Sequence, residues 1–360
     1  MRRTFIWRSS PARGLKSFDG VSAILDGSVS MPPSPTALMP CRILACAALI
    51  LATLGAALPA DAQSPALQAR PGTEPITPIP LPPALDPKRI ALGEQLFYDP
   101  RLSHNNRRSC AFCHDVRTNG ASAAARDQTP DGMALALNTP TIFNAALSFR
   151  LNWEGNFRSL ELHTEHILNN SEIMASSVGE ALNKLREDPG TARAFRQAYG
   201  RDPDREGFLD AIASYERSLL TPGSRFDRWL EGDRGALTAE ELSGYQLFKS
   251  LGCISYHQGV NVGGNLFQRH GIFHPLGSPK PELLRVPSLR NVATTPPYFH
   301  DGSAETLPEA VKAMGFAQLD RVLTEEQITA IVAFLKTLTG AYQGRPVTSA
   351  AETQQSVTSP

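Results

Sequence analysis

The feature that most restricts how this 360-residue chain can fold is the run Cys110-Ala-Phe-Cys113-His114. Cysteines at positions i and i+3 lie on one face of a helical turn, where they can add across the two vinyl groups of a heme. The histidine at i+4 lies on the same face and can present a ring nitrogen to the iron. The run therefore predicts a covalently attached c-type heme, and so large a cofactor needs loops that wrap around it.

Three other uses of this spacing are a zinc half-site, a redox pair and a disulfide. A zinc site would need a second cluster with two or more thiols, and the chain has none. A thioredoxin-like redox pair would need a strand–helix–strand context, which the hydrophobic pattern does not show. A simple disulfide between the two cysteines stays open from the residues alone.

A second run, Cys253-Ile-Ser-Tyr256-His257, has the same shape with a tyrosine at the place of the second cysteine. It predicts a second heme, attached by one thioether through Cys253 or held only by its iron ligands and its pocket. The alternative is a free cysteine that a histidine follows by chance. The run by itself leaves both open.

Composition excludes several classes of protein. Lys and Arg number 35 and Asp and Glu also number 35, so no basic stripe for nucleic acid is expected. Hydrophobic residues make up 41% of the chain, too many for a disordered polyelectrolyte. Five cysteines are too few and too unevenly placed for a disulfide scaffold, and Cys41 and Cys46 fall in a leader.

Residues 1–62 are predicted to be this leader. The stretch 43–59 carries no charge, Arg42 precedes it, and Ala60-Asp61-Ala62 follows it as a cleavage site. This pattern indicates a secretory signal peptide that is cleaved near Ala62, and hence a periplasmic protein. A permanent membrane anchor is the alternative, because the run approaches spanning length.

The rest of the chain is predicted to be mostly α. Its apolar residues repeat at helical spacing, and no sustained alternation or hairpin signal is present. Capping boxes mark two helix starts, at Thr238 with Glu241 and at Thr324 with Gln327. Loops around residues 115–150 and 258–300 are long for a compact domain, and a bound cofactor would explain them.

Two segments have the composition of linkers. Residues 63–85 are Pro-rich, extended and poor in core residues, so we expect order to begin at Asp86, which can cap a helix. Residues 221–236 have a composition typical of a linker between two domains.

In these motifs the chain resembles the bacterial di-heme cytochrome c peroxidases, with the MauG-type enzymes as a close branch. The matching stretches lie between about residues 90 and 340 and include LFYDPRLS (96–103), SCAFCHD (109–115), NTPTIFNAA (138–146), FKSLGCISYHQG (248–259), VPSLRNVATTPPYFHDGS (286–303) and AVKAMG (310–315). The resemblance implies two cytochrome c-like heme domains with long loops. The peroxide-reacting domain would be residues 86–225 and the electron-transfer domain residues 236–343, followed by a tail at 344–360.

Five residues match positions to which the family gives a role in the reaction. The resemblance implies that His114 is the proximal ligand of the peroxide-reacting heme. It implies that His257 and Met314 hold the iron of the electron-accepting heme, a pair that raises the reduction potential. It also implies that Trp153 lies between the two hemes and that Glu172 is the acid/base carboxylate of the peroxide pocket.

Further residues are assigned to supporting roles. Asn138, Thr295 and Pro297 match the family positions that hold a calcium ion, largely by carbonyl oxygens. The Arg290 guanidinium suits a heme propionate. His300 is expected to support the second heme pocket by hydrogen bonding.

The sequence departs from the family pattern at three places. Tyr256 replaces the second attachment cysteine. No histidine occurs at 121–137, where many of these peroxidases have one that caps the first iron at rest, so we expect that iron to be open at rest. The family's W-D-G-R reads Trp-Glu-Gly-Asn at residues 153–156, so its arginine is missing.

The predicted function is reduction of hydrogen peroxide to water with electrons from a small cytochrome c or a cupredoxin. One rival is a MauG-like enzyme that oxidises a residue on a partner protein. Another is a heme electron carrier without enzymatic activity. A homodimer is a further expectation from the family.

Overall fold

The computed structural model describes residues 73–351 and residue 353. The predicted leader with its cleavage site at Ala62, the first part of the Pro-rich segment and the last residues of the tail lie outside the described residues. Within the described residues, no helix is long and apolar enough to cross a membrane.

The described residues are mostly α-helical, as the spacing of apolar residues predicts. The helices are α1 (Pro87–Phe97), α2 (Leu160–Asn169), α3 (Val178–Arg186), α4 (Pro189–Tyr199), α5 (Arg205–Ser218), α6 (Arg225–Leu230), α7 (Ala239–Ser250), α8 (Leu307–Leu319) and α9 (Glu325–Lys336). We call α1–α5 the N-terminal half and α6–α9 the C-terminal half. Single 3-10 turns include Cys110–Phe112 and Cys253–Ser255.

Side chains cap the helices where the sequence predicts it. Asp86 accepts a hydrogen bond from the Lys88 amide and begins α1. Both capping boxes are confirmed, because each threonine and its partner three residues on bond reciprocally at the starts of α7 and α9.

Each half is built on one tight crossing of two helices. A Cβ added to Gly93 of α1 would lie 1.9 Å from the carbonyl oxygen of Ala211 in α5. A Cβ added to Gly244 of α7 would lie 1.9 Å from the carbonyl oxygen of Ala330 in α9. Only glycine allows such a close backbone approach, so both halves use the same device.

The prediction that residues 221–236 are a linker is wrong. The segment contains α6, whose Phe226 is fully buried and whose Trp229 is 4% exposed. Phe226 packs against Tyr245 and Phe334 in the core of the C-terminal half. The segment is therefore part of that core. The polar residues around the two aromatic side chains give the segment the composition of a linker.

The expectation that order begins at Asp86 is also wrong. Residues 73–85 have no helix or strand, as their prolines favour, but Ile76 is only 2% exposed and belongs to the core of the C-terminal half. Glu74 accepts a hydrogen bond from the Tyr245 hydroxyl at 2.5 Å and pairs with Lys249 at 3.1 Å.

Two small antiparallel sheets accompany the helices, and the sequence analysis missed both. Strands β1 (Phe267–Arg269) and β2 (Leu283–Arg285) pair with each other, as do β3 (Ala341–Tyr342) and β4 (Arg345–Pro346). The second pair is a hairpin whose two turn residues, Gln343 and Gly344, both have positive φ. Strands of two or three residues are too short to show an alternating pattern.

Candidate active site

A cavity of about 680 Å³ runs through the described residues and is lined by both halves. Its walls are mainly apolar. They include every residue predicted to attach a heme or to bind its iron, namely Cys110, Cys113, His114, Cys253, His257 and Met314. The sequence motifs, far apart in the chain, therefore meet at one cavity.

In the N-terminal half, a 3-10 turn positions the first run. The His114 amide donates to the Cys110 carbonyl at 3.1 Å, which closes the turn. The His114 Nδ1 lies 3.1 Å from the Gly120 carbonyl oxygen and must donate to it. The other ring nitrogen is thereby left as an acceptor for a metal. Burial lowers the pKa of His114, which keeps the ring neutral.

The C-terminal half repeats this geometry. The His257 amide donates to the Cys253 carbonyl at 2.9 Å, and its Nδ1 donates to the Val262 carbonyl at 3.3 Å. Burial lowers the pKa of His257 to about 4. Cys253 lines the cavity but Tyr256 does not, so the described geometry offers one thiol on this side.

Equivalent loops precede helices α2 and α8 in the chain. Leu151 bridges to Phe157 before α2, and Tyr298 bridges to Ala304 before α8. Each helix then begins with a hydroxyl N-cap, Ser159 in α2 and Thr306 in α8. This alignment makes Trp153 and His300 equivalent, and their rings meet edge to face at 6.4 Å.

Five cavity-lining positions recur with the same spacing on the two helices. The two stripes are Leu160, His163, Thr164, Ile167 and Leu168 on α2, and Leu307, Ala310, Val311, Met314 and Gly315 on α8; His166 of α2 and Leu319 of α8 line the cavity in addition. Met314 therefore corresponds to Ile167, an aliphatic residue that cannot bind iron. The two halves share a frame but offer different ligands to the cavity.

Trp153 is buried between the two halves. Its indole Nε1 donates to the Asn138 carbonyl at 2.7 Å, and the carbonyl of Trp153 accepts from the Arg285 amide at 2.7 Å. The residue also lines the cavity. That Trp153 lies between two hemes stays a prediction.

Titratable side chains gather at the α2 side of the cavity. Glu172 is exposed and lines the cavity, and its amide donates to the Asn170 side chain at 2.9 Å. His163 and His166, which the sequence analysis left without a role, line it too. The pKa of His163 is lowered to about 4, first by burial and then by the positive charges of His114, His166 and Arg285.

Two more charged residues were missed. Arg285 lines the cavity, its Nε donates to the Asn152 carbonyl at 3.1 Å, and burial lowers its pKa. Glu216 on α5 is buried at the cavity wall, and burial followed by the Glu161 charge raises its pKa to about 8. A charged residue in a loop or a polar helix gives no sequence signal that it faces inward.

The three predicted calcium positions also line the cavity. The Asn138 Nδ2 donates to the carbonyls of Ala124 and Ala125 at 3.2 and 3.0 Å, which leaves its Oδ1 for another partner. Among the described residues, no group of three or more His, Cys, Asp or Glu could hold a metal ion. A calcium site here would therefore depend on carbonyl oxygens, and it stays a prediction.

The two predicted supporting residues have other partners. Arg290 is 1% exposed, pairs with Asp227 at 2.7 Å and donates to the carbonyls of Val260 and Thr77 at 2.7 Å each. His300 does not line the cavity, and its Nε2 lies 2.9 Å from the Ser278 carbonyl oxygen. Their roles toward a heme stay predictions.

Comparison with known proteins shows the family of this chain. The family described as "Di-haem cytochrome c peroxidase" matches residues 87–235. A cytochrome c551 peroxidase of Nitrosomonas europaea is 37% identical over 284 residues, which cover 74% of this chain and 84% of the relative. A cytochrome c peroxidase of Escherichia coli is 37% identical over 287 residues, which cover 75% of this chain and 62% of the relative.

The fold has a match among solved structures. A MauG-like protein associated with microbial copper homeostasis superposes with a TM-score of 0.62. It is 24% identical, and the match covers 75% of this chain and 95% of that protein.

Proposed function

Because the chain belongs to the di-haem cytochrome c peroxidase family and is an oxidoreductase that acts on peroxide, we propose that its halves divide the work. The N-terminal half, within residues 86–225, is a cytochrome c-like domain that holds the peroxide-reacting heme. The C-terminal half, which comprises α6 and the predicted range 236–343, is a second such domain that receives electrons.

The observation that carries this division is the contrast between Ile167 and Met314 in equivalent stripes. A proximal histidine faces the cavity in each half, and at the equivalent position of the two helices only α8 offers a ligand, Met314 against Ile167. A His/Met pair raises the reduction potential, which suits electron entry, and a side without a sixth ligand can take peroxide. The donor set thus fits two hemes of unequal chemistry.

When bound, the hemes supply the iron that takes peroxide and the store of electrons. Around them, His114 and His257 would hold the iron through Nε2, because Nδ1 of each ring donates to a backbone carbonyl. Glu172 moves a proton from the inner to the outer oxygen of peroxide. Trp153 passes an electron between the halves, and its bond to the Asn138 carbonyl fixes the indole.

Cofactor attachment differs between the halves. Cys110 and Cys113 hold the first heme by two thioethers, and Cys253 alone holds the second. Intact mass and heme staining of a denaturing gel test this proposal. Two doubly attached hemes in the native chain would contradict it.

Calcium, location and partners complete the proposal. Calcium binds at Asn138, Thr295 and Pro297 and ties the halves together. The protein is exported to the periplasm after cleavage near Ala62. Its donor is a small cytochrome c or cupredoxin, and it forms a homodimer.

Turnover of peroxide with a reduced small cytochrome tests the activity. The variant Glu172→Gln should lose roughly 10²–10⁴-fold in turnover, since it removes a proton-transfer group. Electron exchange with the donor should not change, and a pure electron carrier would show no loss at all. Modification of a protein partner without peroxide consumption would favour the MauG-like alternative. Met314 argues against the form of that chemistry that uses a tyrosine ligand, because a methionine occupies the ligand position.

A further inference from the structure

His163 lies inside the cavity wall without a hydrogen-bond partner. Neither of its ring nitrogens bonds to any residue in the part of the chain that the structure describes, and Phe157 packs beside the ring at 5.4 Å. The imidazole is half-buried at the cavity wall, so its ring nitrogens are free to bond to molecules that enter the cavity.

The register of α2 against α8 decides which kind of partner this is. In the equivalent stripes, the ligand position Met314 corresponds to Ile167, and His163 corresponds to Ala310. His163 is thus one helical turn before the ligand position, roughly 6 Å along the axis. A side chain at that level reaches a molecule bound at the iron better than it reaches the iron itself.

We propose that His163 accepts the proton that hydrogen peroxide loses when it binds in the N-terminal half. The proton passes from one peroxide oxygen to an imidazole nitrogen, which leaves a hydroperoxide anion and an imidazolium; no electron moves and the O–O bond stays intact. The inference rests on the proposed function. It makes His163 the catalytic residue that takes the proton of the inner oxygen first, and it refines the role given to Glu172, which then delivers a proton to the outer oxygen.

Cyanide provides a readout that is independent of turnover. Hydrogen cyanide must also lose a proton to bind ferric heme as an anion, so the same acceptor should accelerate its binding. In the purified holoprotein, His163→Gln should lower the second-order rate of cyanide binding by roughly 10²–10⁴-fold in stopped-flow absorbance. The rate of the first reaction with peroxide should fall in parallel.

Matched variants isolate the effect. His163→Phe keeps the bulk of the ring without its nitrogens, so it should show the same loss while the cavity stays filled. His104→Gln removes an exposed histidine that pairs with Glu180 outside the cavity, and both rates should stay at the wild-type value. The electronic spectrum and EPR spin state of the ferric first heme should be the same in all variants.

Three results would overturn the proposal. A change of the first heme from low spin to high spin in His163→Gln would make His163 an iron ligand. Unchanged cyanide and peroxide rates in both His163 variants would make it a packing residue. If His166→Gln lowered the cyanide and peroxide rates and His163→Gln did not, the proton acceptor would be His166. A wild-type protein that binds cyanide but never turns over peroxide would instead defeat the proposed function, and the cyanide rates would still decide the role of His163.

Discussion

The two halves of this molecule have the same backbone plan and different side chains at the cavity. Gly93 and Gly244 allow the same close helix crossing, and the loops before α2 and α8 carry the same bridge and the same type of cap. The differences lie in single residues, such as Ile167 against Met314. The comparison teaches that the halves share one backbone plan, while the side chains that each half offers to the cavity depend on a few positions along one helix.

Giving the N-terminal half the ligand of the C-terminal half is the sharpest test of this comparison. In Ile167→Met, a sulfur that occupies the iron 99% of the time would lower the apparent affinity for peroxide about 100-fold. Turnover at limiting peroxide and a new low-spin signal measure the change. Ile167→Leu, which adds no ligand, should behave as the wild type. Full activity in Ile167→Met would show that the two stripes are not equivalent.

The shared helix crossing predicts similar damage in both halves. Gly93→Ala and Gly244→Ala should each lower the free energy of unfolding by about 1–3 kcal/mol or more, because the new methyl overlaps a carbonyl oxygen. Denaturant titration measures the loss. Gly179→Ala in α3 is the control, since its nearest atom would lie 3.8 Å from the added Cβ, and it should not destabilise the protein.

A buried carboxyl should make the stability of the N-terminal half depend on pH. Glu216 has a pKa raised to about 8, and the equivalent residue on α9 is Leu335. The folded state favours the protonated carboxyl, so this contribution to stability is fully present below the ordinary pKa of 4.5 and is lost as pH rises through about 8. The slope reaches at most about 1.4 kcal/mol per pH unit.

Glu216→Gln should remove that slope, so the variant should gain stability over the wild type as pH rises. Denaturant titrations at a series of pH values between about 5 and 9 measure it. Glu172→Gln, which changes an exposed carboxyl, serves as the control for stability. Parallel curves for wild type and Glu216→Gln would contradict the assignment.

Repairing the second attachment run should have the smallest effect. Tyr256→Cys should add a second thioether, visible as two doubly attached hemes in the intact mass. A tethered cofactor cannot leave the folded state, so the melting temperature should rise, by about 2–4 °C for a gain of 1 kcal/mol. Tyr256→Ser, which offers no thiol, should show neither change.

The sequence predicted those features whose signal is local. The cysteine–histidine runs, the capping boxes at Thr238 and Thr324, and the mostly α class follow from spacing within a few residues. Phe226 and Trp229 were assigned to a linker because charged and turn-forming neighbours surround them. Their burial depends on contacts with α7 and α9, which lie later in the chain.

His163 was missed for a related reason. A histidine in a polar helix has no local mark that separates it from a surface residue. Its position becomes informative only when α2 is aligned with α8, and the loops that anchor this alignment differ in most letters. The two loops share a glycine at the corresponding position, Gly155 and Gly302, and this is the local signal that the sequence offers. In the structure both glycines have positive φ.

The continuity of the cavity has a consequence for assembly. Because both halves contribute to one set of walls, a protein with a single porphyrin in place would leave a mainly apolar surface in contact with water. Filling the second position removes that surface. Half-loaded molecules should therefore be more susceptible to proteases than molecules with both positions filled.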